Sequence, residues 1–174
     1  YTDRGKWMDG WESRRRRSEG HDYAVVRLGV PGCVHGFVVD TAHFRGNYPL
    51  ECSIEGAAIE GHPPHAELGQ AHWFPLLDRA PLCGDAKNHF ACEQRVRVTH
   101  LRLNIFPDGG VARLRVHGRA VPHLRWMGRP GAEVDLASLE NGGEVPRASD
   151  MFFGSRSHLV LPGRGLHMGD GWET

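Results

Sequence analysis

Two runs of strict alternation, Thr99 to Ile105 and Val111 to His117, are separated only by Phe106-Pro107-Asp108-Gly109-Gly110. In an extended chain successive side chains point to opposite faces. Leu101, Leu103 and Ile105 therefore share one face, as do Ala112, Leu114 and Val116. A helix would scatter these residues around its axis, so the pattern selects half-buried strands. The Pro-Asp-Gly-Gly stretch supplies the residue types that a tight reversal needs. The sequence predicts an antiparallel sandwich over Tyr23 to His117 in which these six apolar side chains are buried. His100, Arg102, Asn104, Arg113, Arg115 and His117 collect on the opposite face, which reads as the wet side of the sandwich, with ligand contact as the alternative.

The rest of this region reads as β as well. Tyr23 to Leu28 predicts a strand stopped by Gly29-Val30-Pro31-Gly32, and Val34 to Asp40 the next, a hairpin-like pair with a turn between. Glu51 to Glu55, Trp73 to Leu77 and His89 to Cys92 are weaker strands, whereas Ala57 to Gln70 is too rich in Pro, Gly and His to be regular. From Pro122 to Pro146 the pattern dissolves, with Val134 to Leu139 as its one candidate helix, and this stretch reads as a linker. A strand is expected at His158 to Leu161.

Asp9-Gly10-Trp11-Glu12-Ser13 returns as Asp170-Gly171-Trp172-Glu173-Thr174, with Met8 echoed by Met168. A repeat so far apart points to tandem copies of one domain and to a chain cut from a longer protein. Residues 1–122 are then a first repeat lacking its opening strand, 123–146 the linker and 147–174 the start of a second repeat. The 174 residues carry a formal net charge of +0, so nothing in the balance favours nucleic acid or an anionic membrane as partner. Arg14-Arg15-Arg16-Arg17 is a local run. No stretch approaches the roughly 18 apolar residues of a membrane span. Cys33, Cys52, Cys83 and Cys92 lack metal-ligand spacing and read as buried or half-buried thiols. His62, His65 and His72 lie in the irregular stretch without a recurring ligand pattern, so no metal site is expected.

Trp7-Met8-Asp9-Gly10-Trp11-Glu12-Ser13-Arg14-Arg15, Gly20-His21-Asp22, Arg27-Leu28-Gly29-Val30-Pro31-Gly32, Asp40-Thr41, Gly46-Asn47-Tyr48-Pro49 and Leu103-Asn104-Ile105-Phe106-Pro107-Asp108-Gly109-Gly110 together closely resemble the allantoicase family. The likeness continues through Ala148-Ser149-Asp150 and Leu161-Pro162-Gly163-Arg164-Gly165 to the repeated Asp-Gly-Trp-Glu-Thr. The resemblance implies two homologous repeats, each an all-β jelly-roll sandwich similar to galactose-binding and discoidin-type domains. It implies hydrolysis of allantoate to ureidoglycolate and urea in purine degradation. No cofactor is evident. A homo-oligomer and a cytoplasmic location are compatible with the sequence, which leaves both open.

Allantoate is a small anion with two ureido groups on the carbon that bears its carboxylate. Arginine suits the carboxylate because its planar fork donates two parallel hydrogen bonds; Arg14, Arg15, Arg27, Arg102, Arg113 and Arg115 are available. Release of urea needs a proton on the leaving nitrogen and a base to take one from water, for which Asp9, Glu12, His21, Asp22, His100 and Asp108 are the choices. Asp9, Glu12, Arg15, His21 and Asp22 cluster between strands, where a loop presents functional groups from a rigid scaffold. Glu12, His21, Asp22 and Asp9 are therefore the candidate catalytic residues, and Arg15, Arg14, Asn47 and Arg102 the candidate substrate-binding residues. Against this, Trp11 reads as a core anchor, Asp9 and Asn47 as turn formers and Asp108 as a turn residue. Two other readings remain: a non-catalytic ligand-binding sandwich, and an inactive piece of an allantoicase.

Overall fold

The computed structural model describes residues 10–61, 63–122, 133, 135–150, 154–165, 167–168 and 171–172. They fall into two compact units, one formed by the residues up to Arg27 and Pro31–Val121, the other by Leu28–Val30 with the residues from Pro122 onward.

The first unit is the all-β sandwich the alternation predicts. Its strands are β1 (Trp11–Glu12), β2 (Asp22–Asp40), β3 (Glu51–Ala57), β4 (Phe74–Pro81), β5 (Lys87–Ala91), β6 (Arg97–Phe106), β7 (Gly110–Val111) and β8 (Arg113–Ala120), with one short helix, α1 (His65–Gln70). All pairings are antiparallel. The order β4-β3-β6-β2-β5 forms one path, with β8 added to β2 and a separate β1-β7 ribbon. β2 carries the design. Its first half pairs with β6, and its second half with β5 on the same edge and β8 on the other.

The expected turn at Gly29 to Gly32 is therefore absent, because β2 runs unbroken through it. The pairing with β6 slips between Arg27 and Gly32, and Gly32 lies so near β8 that a Cβ there would stand 2.5 Å from the Arg119 carbonyl oxygen. That glycine admits a neighbouring backbone; it does not reverse the chain. The strands expected around Glu51, Trp73 and His89 form as β3, β4 and β5. The stretch expected to be irregular contains α1.

β6 carries its alternation into the core: Leu101, Leu103 and Ile105 are 0%, 2% and 0% exposed, in a core that also holds Val98, Cys52, Ile54, Phe37 and Val39. Ala112, Leu114 and Val116 are only half-buried. The two flanks do not form a hairpin with each other, since β8 pairs with β2 instead. Their polar faces separate accordingly. Arg113, Arg115 and His117 are exposed, whereas His100 and Asn104 are 2% and 5% exposed. The wet-side reading thus holds for β8 and fails for β6.

Three of the four cysteines are buried and Cys83 is exposed, all as free thiols. Burial pushes the Cys52 thiol up to about 12, which keeps it protonated and unreactive.

In the second unit, Leu139–Asn141 and Arg156–Val160 form short 3-10 helices. The strand expected at His158 to Leu161 is thereby replaced: the Ser155 hydroxyl accepts from the Ser157 N–H and opens a helical turn. Trp172 donates its indole N–H to the Asp150 carbonyl at 2.8 Å.

Candidate active site

The chain between β1 and β2 is laid along the Pro107–Gly110 turn by a ladder of hydrogen bonds. Ser13 N–H donates to the Gly109 carbonyl, the Gly109 N–H donates to the Ser13 hydroxyl, Arg16 N–H donates to an Asp108 carboxylate oxygen at 2.6 Å, and Asp22 N–H donates to the Pro107 carbonyl. Two glycines make the turn possible. Gly109 has φ +134°, and a Cβ on Gly110 would overlap the buried Phe44 ring at 2.0 Å. The consequence is an open cleft of about 570 Å³ lined by Trp11, Ser13–Ser18, His21, Asp22 and Tyr23. Trp11, expected in the core, is half-buried and forms part of this wall.

Arg14, Arg15, His21 and Asp22 thus come together around one cleft. Arg14 and Arg15 are exposed, and among the described residues neither has a hydrogen-bond or ion-pair partner. Asp22 is held by Arg16, whose Nη1 donates to it at 3.1 Å. The buried Nε of Arg16 has no partner among the described residues, a donor left for a bound anion or water. Glu12 accepts from the Asn47 side-chain amide at 2.7 Å, and the Asn47 carbonyl accepts from Gly110 N–H. These two residues hold each other and the turn. Asp108 likewise anchors a backbone N–H. Asp9 lies outside the described residues.

His21 leads from the cleft onto the polar face of β6. Its Nε2 stands 3.2 Å from Asn104 Oδ1, and its ring lies 4.6 Å from that of Phe106. Asn104 Nδ2 donates to the Ser53 hydroxyl at 3.1 Å and to Glu55 at 2.8 Å. Glu55 in turn receives the Arg102 fork, Nε at 2.7 Å and Nη2 at 2.8 Å, and the Arg102 guanidinium lies 4.9 Å from the centre of the Trp73 ring. The register explains the cluster: Ser53, Asn104 and Tyr23 are cross-strand partners, as are Glu55, Arg102 and Val25. The Arg102 hydrogen bond holds the Glu55 carboxyl below its ordinary value, with Asn104 adding to it against the opposing cost of burial. Glu55 reciprocally raises Arg102.

Arg102 therefore sits in an internal ion pair behind His21, with its fork already occupied. Glu55 and Ser53 are the members of this cluster that sequence reasoning missed, and Asn104 was placed on a polar face without its partners. The alternation of Glu51, Ser53 and Glu55 with Cys52 and Ile54 marks a polar face on β3, but only the pairing of β3 with β6 shows what it meets. Among the described residues, no group of three or more His, Cys, Asp or Glu is placed to hold a metal ion.

Comparison with known proteins matches the allantoicase repeat over residues 1–121 and 134–174. A probable allantoicase of Nocardia farcinica is 53% identical over 176 residues, covering 100% of this chain and 53% of that protein. The allantoicase of Dictyostelium discoideum is 46% identical over 175 residues, covering 100% of this chain and 47% of its own length. The crystal structure of Saccharomyces cerevisiae allantoicase superposes with a TM-score of 0.58 at 33% identity, covering 98% of this chain and 52% of that one. Another allantoicase structure gives a TM-score of 0.63 at 35% identity with the same coverage. The chain spans about half the length of the relatives it matches. A repeat matched over both segments, and relatives this similar across the whole chain, place it in the allantoicase family.

Proposed function

We propose that this chain supplies the substrate cleft of an allantoicase, which hydrolyses allantoate to ureidoglycolate and urea. The observation that carries the reading is the grouping, in a member of this family, of two guanidiniums without partners among the described residues and an imidazole around one open cleft. An anion entering that cleft finds Arg14 and Arg15 unengaged by any carboxylate among the described residues, the cleft's Asp22 being held by Arg16. Either guanidinium offers the two-pronged donor that a carboxylate accepts best. Hydrolysis breaks the bond between the central carbon and one ureido nitrogen. Water adds its oxygen to that carbon, one of its protons goes to a base, and the departing nitrogen takes a proton to leave as urea.

His21 suits this proton traffic, because imidazole exchanges protons near neutrality. Glu12 and Asp22 are engaged by Asn47 and Arg16, which favours anchoring roles for both. Arg102 supports the site from behind His21 through Glu55 and Asn104.

The test is release of urea from allantoate by the protein carrying both repeats, with His21→Ala and Arg15→Lys measured beside it. Wild-type turnover in both variants, folded normally, would remove this assignment.

A further inference from the structure

An asparagine amide offers an oxygen on one side and an NH2 on the other, and its neighbours decide which way it faces. Asn104 stands between His21 and Glu55. Glu55 is an ionised carboxylate with its two oxygens taking the Arg102 fork, so it only accepts. The NH2 of Asn104 must then point to Glu55, at 2.8 Å, with the Ser53 hydroxyl as its second acceptor at 3.1 Å. Its Oδ1 is left facing His21 Nε2 at 3.2 Å. A carbonyl oxygen cannot donate, so a hydrogen bond here requires the proton on Nε2.

We infer that Glu55 is a positioning residue: acting through Asn104, it fixes His21 with its proton on Nε2 and leaves Nδ1 as the nitrogen that takes up and gives back protons at the cleft. Nδ1 has no partner among the described residues. The Phe106 ring at 4.6 Å flanks the imidazole, so ring and proton are both set before substrate arrives. Such pre-set geometry spares the reaction an ordering step. Arg102 completes the chain of constraint, since its fork decides which faces of Glu55 are occupied. The inference deepens the reading of His21 as the proton-transfer group and rests on it.

The tautomer can be read directly, without substrate, on the 174-residue chain containing histidine labelled with the NMR-active nitrogen isotope. Two-bond nitrogen–proton correlations recorded at alkaline pH, where imidazoles are neutral, distinguish a protonated Nε2 from a protonated Nδ1. Wild type is expected to show one tautomer, Nε2 protonated and Nδ1 bare, with the two nitrogen resonances far apart. In Glu55→Gln the new amide can donate to Asn104 Oδ1. Asn104 is then free to turn its NH2 toward His21, and the two resonances should draw together. Pairing Glu55→Gln with Asn104→Asp restores a group beside His21 that only accepts, and the wide separation should return.

Wild-type His21 with its proton on Nδ1 would overturn the inference by itself, whether or not the variants fold. So would a Glu55→Gln spectrum with wild-type separation, or a double variant that fails to recover it. Because no turnover is measured, the two failures are distinguishable: a missing urea signal would sink the functional reading, and with it the catalytic use of Nδ1, while the tautomer set by Glu55 and Asn104 is read independently.

Discussion

Replacing Arg15 with lysine keeps the charge in the cleft and removes the planar fork. A hydrogen bond to a charged group contributes about 1.5–3 kcal/mol, so Arg15→Lys should lower kcat/KM for allantoate by about ten- to a hundredfold in the protein with both repeats. His21→Ala removes the proposed proton-transfer group and should cost about 10²–10⁴ in turnover. Glu12→Gln should cost less than about tenfold, because an anchoring oxygen can still accept from Asn47. Steady-state kinetics of the three variants separate binding, proton transfer and anchoring. Glu55 gives a pH signature. Its folded-state pKa lies below its ordinary value, so the stability it contributes is present above that ordinary value and is lost as pH falls through the lowered one. Denaturant unfolding of the wild-type chain should show this loss on the acid side of ordinary glutamate titration. Glu55→Gln should be less stable at neutral pH by about 1–2 kcal/mol, discounted for the pair's partial exposure, and should lack that part of the acid dependence. The residue-scale chemistry was only partly legible in sequence. Arg14, Arg15, His21 and Asp22 stand close together along the chain and do share a cleft. Glu55 and Asn104 come from strands far apart in sequence and meet only through cross-strand register.

The contrast between the two alternating runs is a matter of elements. Leu103 on β6 is 2% exposed, whereas Leu114 on β8 is half-buried. Deleting a buried leucine side chain costs about 2–5 kcal/mol through lost transfer energy and the cavity left behind. Leu103→Ala should fall in that range, and Leu114→Ala should cost less than half as much, as read by denaturant midpoints at unchanged slope. Equal losses would contradict the placement of β8. Gly110→Ala tests the turn below the cleft. Its methyl would overlap Phe44, and overpacking of this kind costs about 1–3 kcal/mol. The alternation of β6 and β8 was legible because side-chain parity is local. Their partners were not, because parity says which face a residue takes and nothing of which strand lies alongside. Gly32 was misread for a related reason. A glycine that makes room for the Arg119 carbonyl and one that turns the chain look alike in sequence, and only the neighbouring strand tells them apart.

At the largest scale, one strand organises the six-stranded sheet of the first unit. β2 pairs with β6 in its first half and with β5 and β8 in its second, so the β-branched run of its first half and the apolar residues of its second serve different neighbours. The cleft is built where the segment entering β2 crosses the Pro107–Gly110 turn that leaves β6. The recurrence of Asp-Gly-Trp-Glu signalled a repeated architecture, and the match to the allantoicase repeat covers both segments that carry it. If this cleft processes allantoate, as proposed, urea released per allantoate consumed by the protein carrying both repeats, with and without His21, reads it out. The wild type should release one urea per allantoate, at a rate that falls by about a hundredfold or more in a folded His21→Ala variant. Absence of urea from the wild type, or undiminished release from the variant, would contradict it.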